Sequence, residues 1–162
     1  MTRSLMQCTV DQAMSSCCSN NSSKTTSQHC VQCGAACRRV EMRTVYHQVR
    51  FPENLEMPPD DYFFCPSKAC STGYFSIAGL IIPSLQLRTH QEIQQDQLCY
   101  CFDINAADYL NALRANNAEL IKDFVVQRTK SGECACEIRN PSGQCCLAKF
   151  KHLDKEYSRS AN

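Results

Sequence analysis

Apolar residues along the chain fall in short runs divided by polar or cysteine-bearing stretches, and their spacing predicts two folded units between polar ends. Residues 1–28 have no hydrophobic period. Ser19 to Gln28 reads SNNSSKTTSQ and predicts a flexible tail that carries Cys8 and the pair Cys17–Cys18. Residues 29–95 hold two stretches rich in β-branched and aromatic residues. Thr44–Val49 and Tyr74–Ile82 are each predicted as a strand, the second bounded by Gly73 and Pro83, with Pro52, Pro58 and Pro59 marking a loop between them. In residues 96–150 the period becomes helical. Leu98–Phe102 is a short approach, Asn105 is a plausible N-cap with Asp108 three residues on, and Tyr109, Leu110 and Leu113 follow at helical spacing. Asn116–Asn117 predicts a break. Leu120, Ile121, Phe124 and Val125 form a second stripe, closed by Lys130 and Gly132. The run Asn140-Pro141-Ser142-Gly143 reads as a turn, and residues 151–162 are polar and expected to fray. The fold class expected is α+β: a small β-rich unit followed by a helical one.

The 14 cysteines among 162 residues give these units a chemistry. Such density means either a secreted disulfide framework or thiolate metal sites in a reducing compartment. Met1–Ser16 has no apolar run of signal-peptide length, and the apolar stretch near Ile77–Ile82 is too short to cross a bilayer, so a cytoplasmic protein is expected. Trp is absent and large apolar residues are few, which suits small metal-stapled units better than one large core. The net charge is +1 with the signs mixed, so nothing favours nucleic-acid binding. No GxSxG, HExxH, P-loop or GxGxxG occurs, and no His is singled out as partner to a nucleophilic Cys. Asp60–Asp61 lie in a Pro-rich loop and read as a solvated turn. No classical catalytic residues are expected.

Two cysteine sets stand out. Cys30-x2-Cys33 with Gly34, and Cys65-x4-Cys70, supply the four ligands a tetrahedral structural zinc needs, with Cys37 as a substitute. The second set is Cys99-Tyr100-Cys101, then 32 residues of helical pattern, then Cys134-x-Cys136 and Cys145–Cys146. A 2Fe–2S cluster takes two thiolates on each iron, and this spacing allows a helix pair to cover it.

The second set resembles bacterioferritin-associated ferredoxins. The wider string resembles the N-terminal domain of CopZ-type copper chaperones. CVQCG (Cys30–Gly34), YFFCPSKACSTGYF (Tyr62–Phe75), CYCF (Cys99–Phe102) and CACEIRNPSGQCCLAKF (Cys134–Phe150) carry that likeness, and SCCS (Ser16–Ser19) resembles related iron–sulfur metallochaperones. The resemblance implies a mononuclear zinc and a 2Fe–2S cluster in one chain, intracellular copper handling, and reduction of Cu(II) to Cu(I). It implies Cys99 and Cys101 as cluster ligands, completed by two of Cys134, Cys136, Cys145 and Cys146. Ferredoxin-like spacing favours Cys134 as the third, with Cys136 plus Cys146 as the alternative. The chain departs from full CopZ-type chaperones in having no MxCxxC loop. Copper carriage would therefore fall to other thiols, such as Cys17–Cys18 or unused loop cysteines, or to a separate copper-carrying domain or copper-transporting ATPase acting in trans. The alternatives are a ferredoxin-like electron carrier or redox sensor without copper, and a zinc-only interaction module.

Overall fold

The computed structural model describes residues 27–160. Cys8, Cys17 and Cys18 lie outside the described residues. The first half is an antiparallel sheet in simple meander order, built from β1 (Ser27–His29), β2 (Ala36–Val40), β3 (Tyr62–Phe64), β4 (Thr72–Ser76) and β5 (Ile81–Pro83). Helix α1 (Met42–Gln48) interrupts it between β2 and β3. A 3₁₀ turn at Ser84–Gln86, helix α2 (His90–Gln94) and a two-stranded ribbon, β6 (Gln97–Cys99) with β7 (Ile104–Asn105), lead into the helices. These are α3 (Ala106–Arg114), α4 (Ala118–Lys130), the short α5 (Cys136–Arg139) and α6 (Leu147–Ser160).

Alternation along β3 and β4 divides the first half into two cores. Tyr62 and Tyr74 turn to one face and pack with Val40, Val45, Val49, Met57, Ile82 and Leu87, under α1. Phe63 and Phe75 turn to the other, opposite each other in register, their rings stacked at 5.5 Å. There they pack with Cys30, Cys37, Cys65 and Cys70. A third core joins Leu98, Tyr109, Val125 and Phe150 with Cys99 and Cys146.

Four local expectations change. Thr44–Val49, predicted as a strand, forms α1 and its C-cap, because its buried residues are Thr44, Val45, Gln48 and Val49. That spacing is helical rather than alternating, and burial against the rest of the fold outweighs β-branched propensity. Tyr74–Ile82 is not one strand but β4, a turn and β5. The Ser76 carbonyl accepts from Gly79 N–H at 3.1 Å, and the Ser76 N–H donates to Leu80 O at 2.9 Å. Ser27 and Gln28, assigned to the tail, pair with Arg38 and Cys37 in β1. The residues after Phe150, expected to fray, continue α6 to Ser160. Phe150, Leu153 and Tyr157 give them a stripe at helical spacing, and Asp154 accepts from Tyr109 Oη at 2.7 Å and pairs with Lys122 at 3.2 Å.

The sheet half and the helical half meet along α1. Thr44 donates to Glu137 O, and Gln48 Nε2 donates to Ile138 O and Arg139 O, both at 2.9 Å. Tyr74 Oη donates to Pro141 O at 2.6 Å. Gly143 sits at φ +66, where a Cβ would lie 3.1 Å from Thr44 Oγ1. Glycine is required there both for backbone and for space.

Candidate metal centre

The first cysteine pair sits on a knuckle between β1 and β2. Cys30 N–H donates to Ala35 O at 2.8 Å and Gly34 N–H to Cys30 O at 2.9 Å, with Gly34 at φ +72 closing the turn. The second pair flanks the loop between β3 and β4, where Cys65 N–H donates to Gly73 O at 3.0 Å and Cys70 N–H to Ser67 O at 3.1 Å. Since β2, β3 and β4 are neighbours in the sheet, the two loops face each other. Cys30 Sγ lies 3.9 Å from Cys70 Sγ, Cys33 Sγ lies 3.6 Å from Cys65 Sγ, and all four sulfurs are within 4.8 Å of one another. Zinc–sulfur bonds of about 2.3 Å in a tetrahedron place sulfurs about 3.8 Å apart, so this donor set fits zinc in both chemistry and span. Cys30, Cys65 and Cys70 are buried, whereas Cys33 is exposed.

Burial pushes the Cys30 thiol up, but hydrogen bonds from the backbone N–H groups of Cys33 and Gln32 and from the Cys33 and Cys65 thiols outweigh it and bring it down to about 6. Cys65 moves the opposite way, raised by burial and by thiol hydrogen bonds shared with Cys33 and Cys30. Without metal the pair thus shares one thiolate, and a divalent cation is needed to hold the set fully ionised. Cys37 stands apart from the four. Its S–H donates to Ala35 O at 3.2 Å, and burial followed by the Cys30 charge pushes it up to about 11.

One contributor escaped the sequence reading. Gln32, inside the first knuckle, accepts through Oε1 from Ser71 and Thr72 hydroxyls at 2.8 Å each and from Cys70 at 3.6 Å, tying the two loops together. Its only signal was its place between Cys30 and Cys33.

The later cysteines form pairs. Cys101 Sγ lies 3.8 Å from Cys136 Sγ and accepts from Ala135 N–H at 3.3 Å. Cys99 and Cys146 lie in one core, and the influence of Cys146, against the effect of burial, brings Cys99 down to about 6 while Cys146 is raised. Burial pushes Cys136 up to about 12. Cys99, Cys136 and Cys146 are buried, Cys101 and Cys134 half-buried, and Cys145 exposed. Among the described residues these thiols do not close into a group of three within 4.8 Å, as the first set does. The structure thus sets Cys136 beside Cys101 and buries Cys146 in one core with Cys99.

The zf_CopZ family model, a zinc binding domain, matches residues 27–88, a span that contains all four thiols of the first group and none of the second. The X-ray structure of the Archaeoglobus fulgidus CopZ N-terminal domain is similar in fold, with a TM-score of 0.61 at 24% identity, covering 78% of this chain and 98% of that one. No curated protein matches the chain. No described helix is long and apolar enough to cross a membrane. Residues 27–88 are thus similar to the CopZ zinc binding domain, and they bring four cysteines into one group that could hold a metal ion.

Proposed function

We propose that the chain is a metallochaperone-like protein for copper or another soft metal, with zinc at Cys30, Cys33, Cys65 and Cys70 and a 2Fe–2S cluster on Cys99, Cys101, Cys136 and Cys146. The zinc is structural, because its four positions are filled by protein thiols and none is left for a reactant. The observation that carries the cluster reading is the spread of the second set, in which Cys101 and Cys136 lie 3.8 Å apart and Cys99 and Cys146 share one core, yet no three of these thiols lie within 4.8 Å of one another. A dinuclear cluster takes one pair on each iron, whereas a second zinc would draw four sulfurs into one compact group. The contact of Cys136 with Cys101 and the burial of Cys146 with Cys99 support Cys136 and Cys146 ahead of Cys134 and Cys145. When bound, the cluster supplies one electron at a time, enough to take Cu(II) to Cu(I).

Two thiols remain beside the cluster ligands. Cys134 is half-buried and Cys145 exposed, and Cu(I) favours thiolates. They favour metal handling over a ferredoxin-like carrier, which needs no extra thiols. Onward transfer falls to a copper-carrying domain or a copper-transporting ATPase in trans, in a reducing compartment such as the cytoplasm.

Protein purified without oxygen tests this directly. The expected result is about one zinc and two irons per chain, with a paramagnetic signal only after dithionite. A colourless protein with two zincs and no iron after anaerobic reconstitution would sink the cluster reading. Cu(I) titration against a competing chelator then separates chaperone from electron carrier, because a carrier retains no copper.

A further inference from the structure

We propose that Thr44, Gln48 and Tyr74 of the zinc-bearing half are positioning residues for the second thiol set, holding the chain between Cys136 and Cys146 in the shape that brings those two sulfurs to Cys101 and Cys99. This rests on the cluster reading above, but its test can be read without it.

The three side chains are buried, at 1%, 2% and 0% exposure. All three send their hydrogen bonds into one segment. Thr44 donates to the carbonyl of Glu137, Gln48 Nε2 to those of Ile138 and Arg139 at 2.9 Å each, and Tyr74 Oη to that of Pro141 at 2.6 Å. The Gln48 amide is fixed in this orientation, because its Oε1 accepts from the Thr89 hydroxyl. An amide turned the other way would aim its oxygen at two carbonyls and its NH₂ at the hydroxyl.

The segment needs this support. Helix α5 is only four residues long and has no side-chain N-cap. A helix so short does not hold itself, and its last carbonyls have no partners within it. Asn140 stabilises the turn that follows, with Nδ2 donating to Gln144 O at 2.7 Å and Oδ1 accepting from Ser142 N–H at 3.1 Å. That bonding is internal to the turn and does not anchor it. The carbonyls of residues 137, 138, 139 and 141 are anchored on α1 and β4, so the place of Cys136 beside Cys101 is set by side chains that touch no sulfur. β4 begins two residues after Cys70, which ties the same scaffold to the zinc loops.

The test compares the full chain with Gln48→Leu, Tyr74→Phe and Thr44→Ser after anaerobic reconstitution with zinc, iron and sulfide. In Gln48→Leu, iron is expected to leave to a chelator on the order of 10-fold faster, the scale of an outer-sphere partner of a metal ligand. Tyr74→Phe moves the same way and shifts the reduced paramagnetic spectrum. Thr44→Ser keeps its hydroxyl and follows the unmodified chain. Zinc stays at one per chain throughout. Unmodified iron-release rates and spectra in both Gln48→Leu and Tyr74→Phe would overturn the proposal, as would loss of zinc in parallel with iron, which marks general unfolding. If the unmodified chain takes up no iron, the cluster reading fails and the positioning role is read from cysteine alkylation of the zinc-loaded protein. Faster modification of Cys136 and Cys146 in Gln48→Leu supports it, and equal rates overturn it.

Discussion

Among the residues of the first thiol group, Cys30 decides how zinc binding responds to acid. Its thiol is lowered to about 6, so above that pH the site already offers one thiolate. Below it, zinc must displace one more proton. Zinc affinity is therefore expected to fall as pH is lowered, with the slope of log affinity steepening by about one below pH 6. Competition with a chromophoric chelator on both sides of that pH reads the slope, and a constant slope would contradict a thiolate forming in the metal-free site near that pH. Gln32 provides a second prediction at this scale. The hydroxyls of Ser71 and Thr72, next to the ligand Cys70, both donate to its Oε1 and remain able to do so when Cys70 is a zinc-bound thiolate. Gln32→Ala leaves all four ligands in place yet is expected to weaken zinc about 10-fold, as loss of an outer-sphere partner does. The spacing of Cys30, Cys33, Cys65 and Cys70 was legible in the sequence because each pair lies within one turn. Gln32 was not, since what it contacts depends on a sheet that brings residues about forty positions apart together.

At the scale of elements, α3 and α4 follow local signals. Asn105 caps α3 by accepting from Asp108 N–H at 2.8 Å, and the break at Asn116–Asn117 separates the two helices, with Asn116 at φ +54. Asn105→Ala is expected to cost about 1 kcal/mol, seen as a lower urea midpoint with unchanged slope. Where partners from elsewhere in the fold decide, the sequence misled. Thr44–Val49 has strand-like residue types, but α1 exists because Thr44 and Gln48 face α5 while Val45 and Val49 face the sheet core. The C-terminal segment of α6 looked too polar to fold, but its Asp154 is partnered by Tyr109 and Lys122. Asp154→Ala strips the buried Tyr109 hydroxyl of its acceptor. It is expected to cost about 1–3 kcal/mol by the same urea measurement, well above a surface change.

For the whole molecule, the question is whether two metal-stapled halves behave as two units or one. Composition predicted two; Cys30, Cys65 and Cys70 of the first group lie in one core, and Cys99 and Cys146 in another. What the sequence could not display is the joint, because it consists of side chains from α1 and β4 bonded to backbone carbonyls some seventy to ninety residues away. Carbonyl bonds of this kind leave no motif. Their consequence is testable by removing zinc. A structural zinc of this type contributes on the order of 10 kcal/mol, more than the small sheet core can replace, so chelation loosens β3 and β4 and with them Tyr74. If the joint couples the halves, amide protection should then fall at Asn140 and Gly143, whose N–H groups bond within the α5 turn, as well as in the sheet. The interior of α4 should stay protected, since its buried residues Ala118 and Val125 pack only in the helical core. Hydrogen exchange read by mass spectrometry before and after chelation distinguishes the cases. Loss confined to residues before 88 would mean two independent units, and loss extending to the Asn140–Gly143 turn would mean that the zinc half holds the second set of thiols in place.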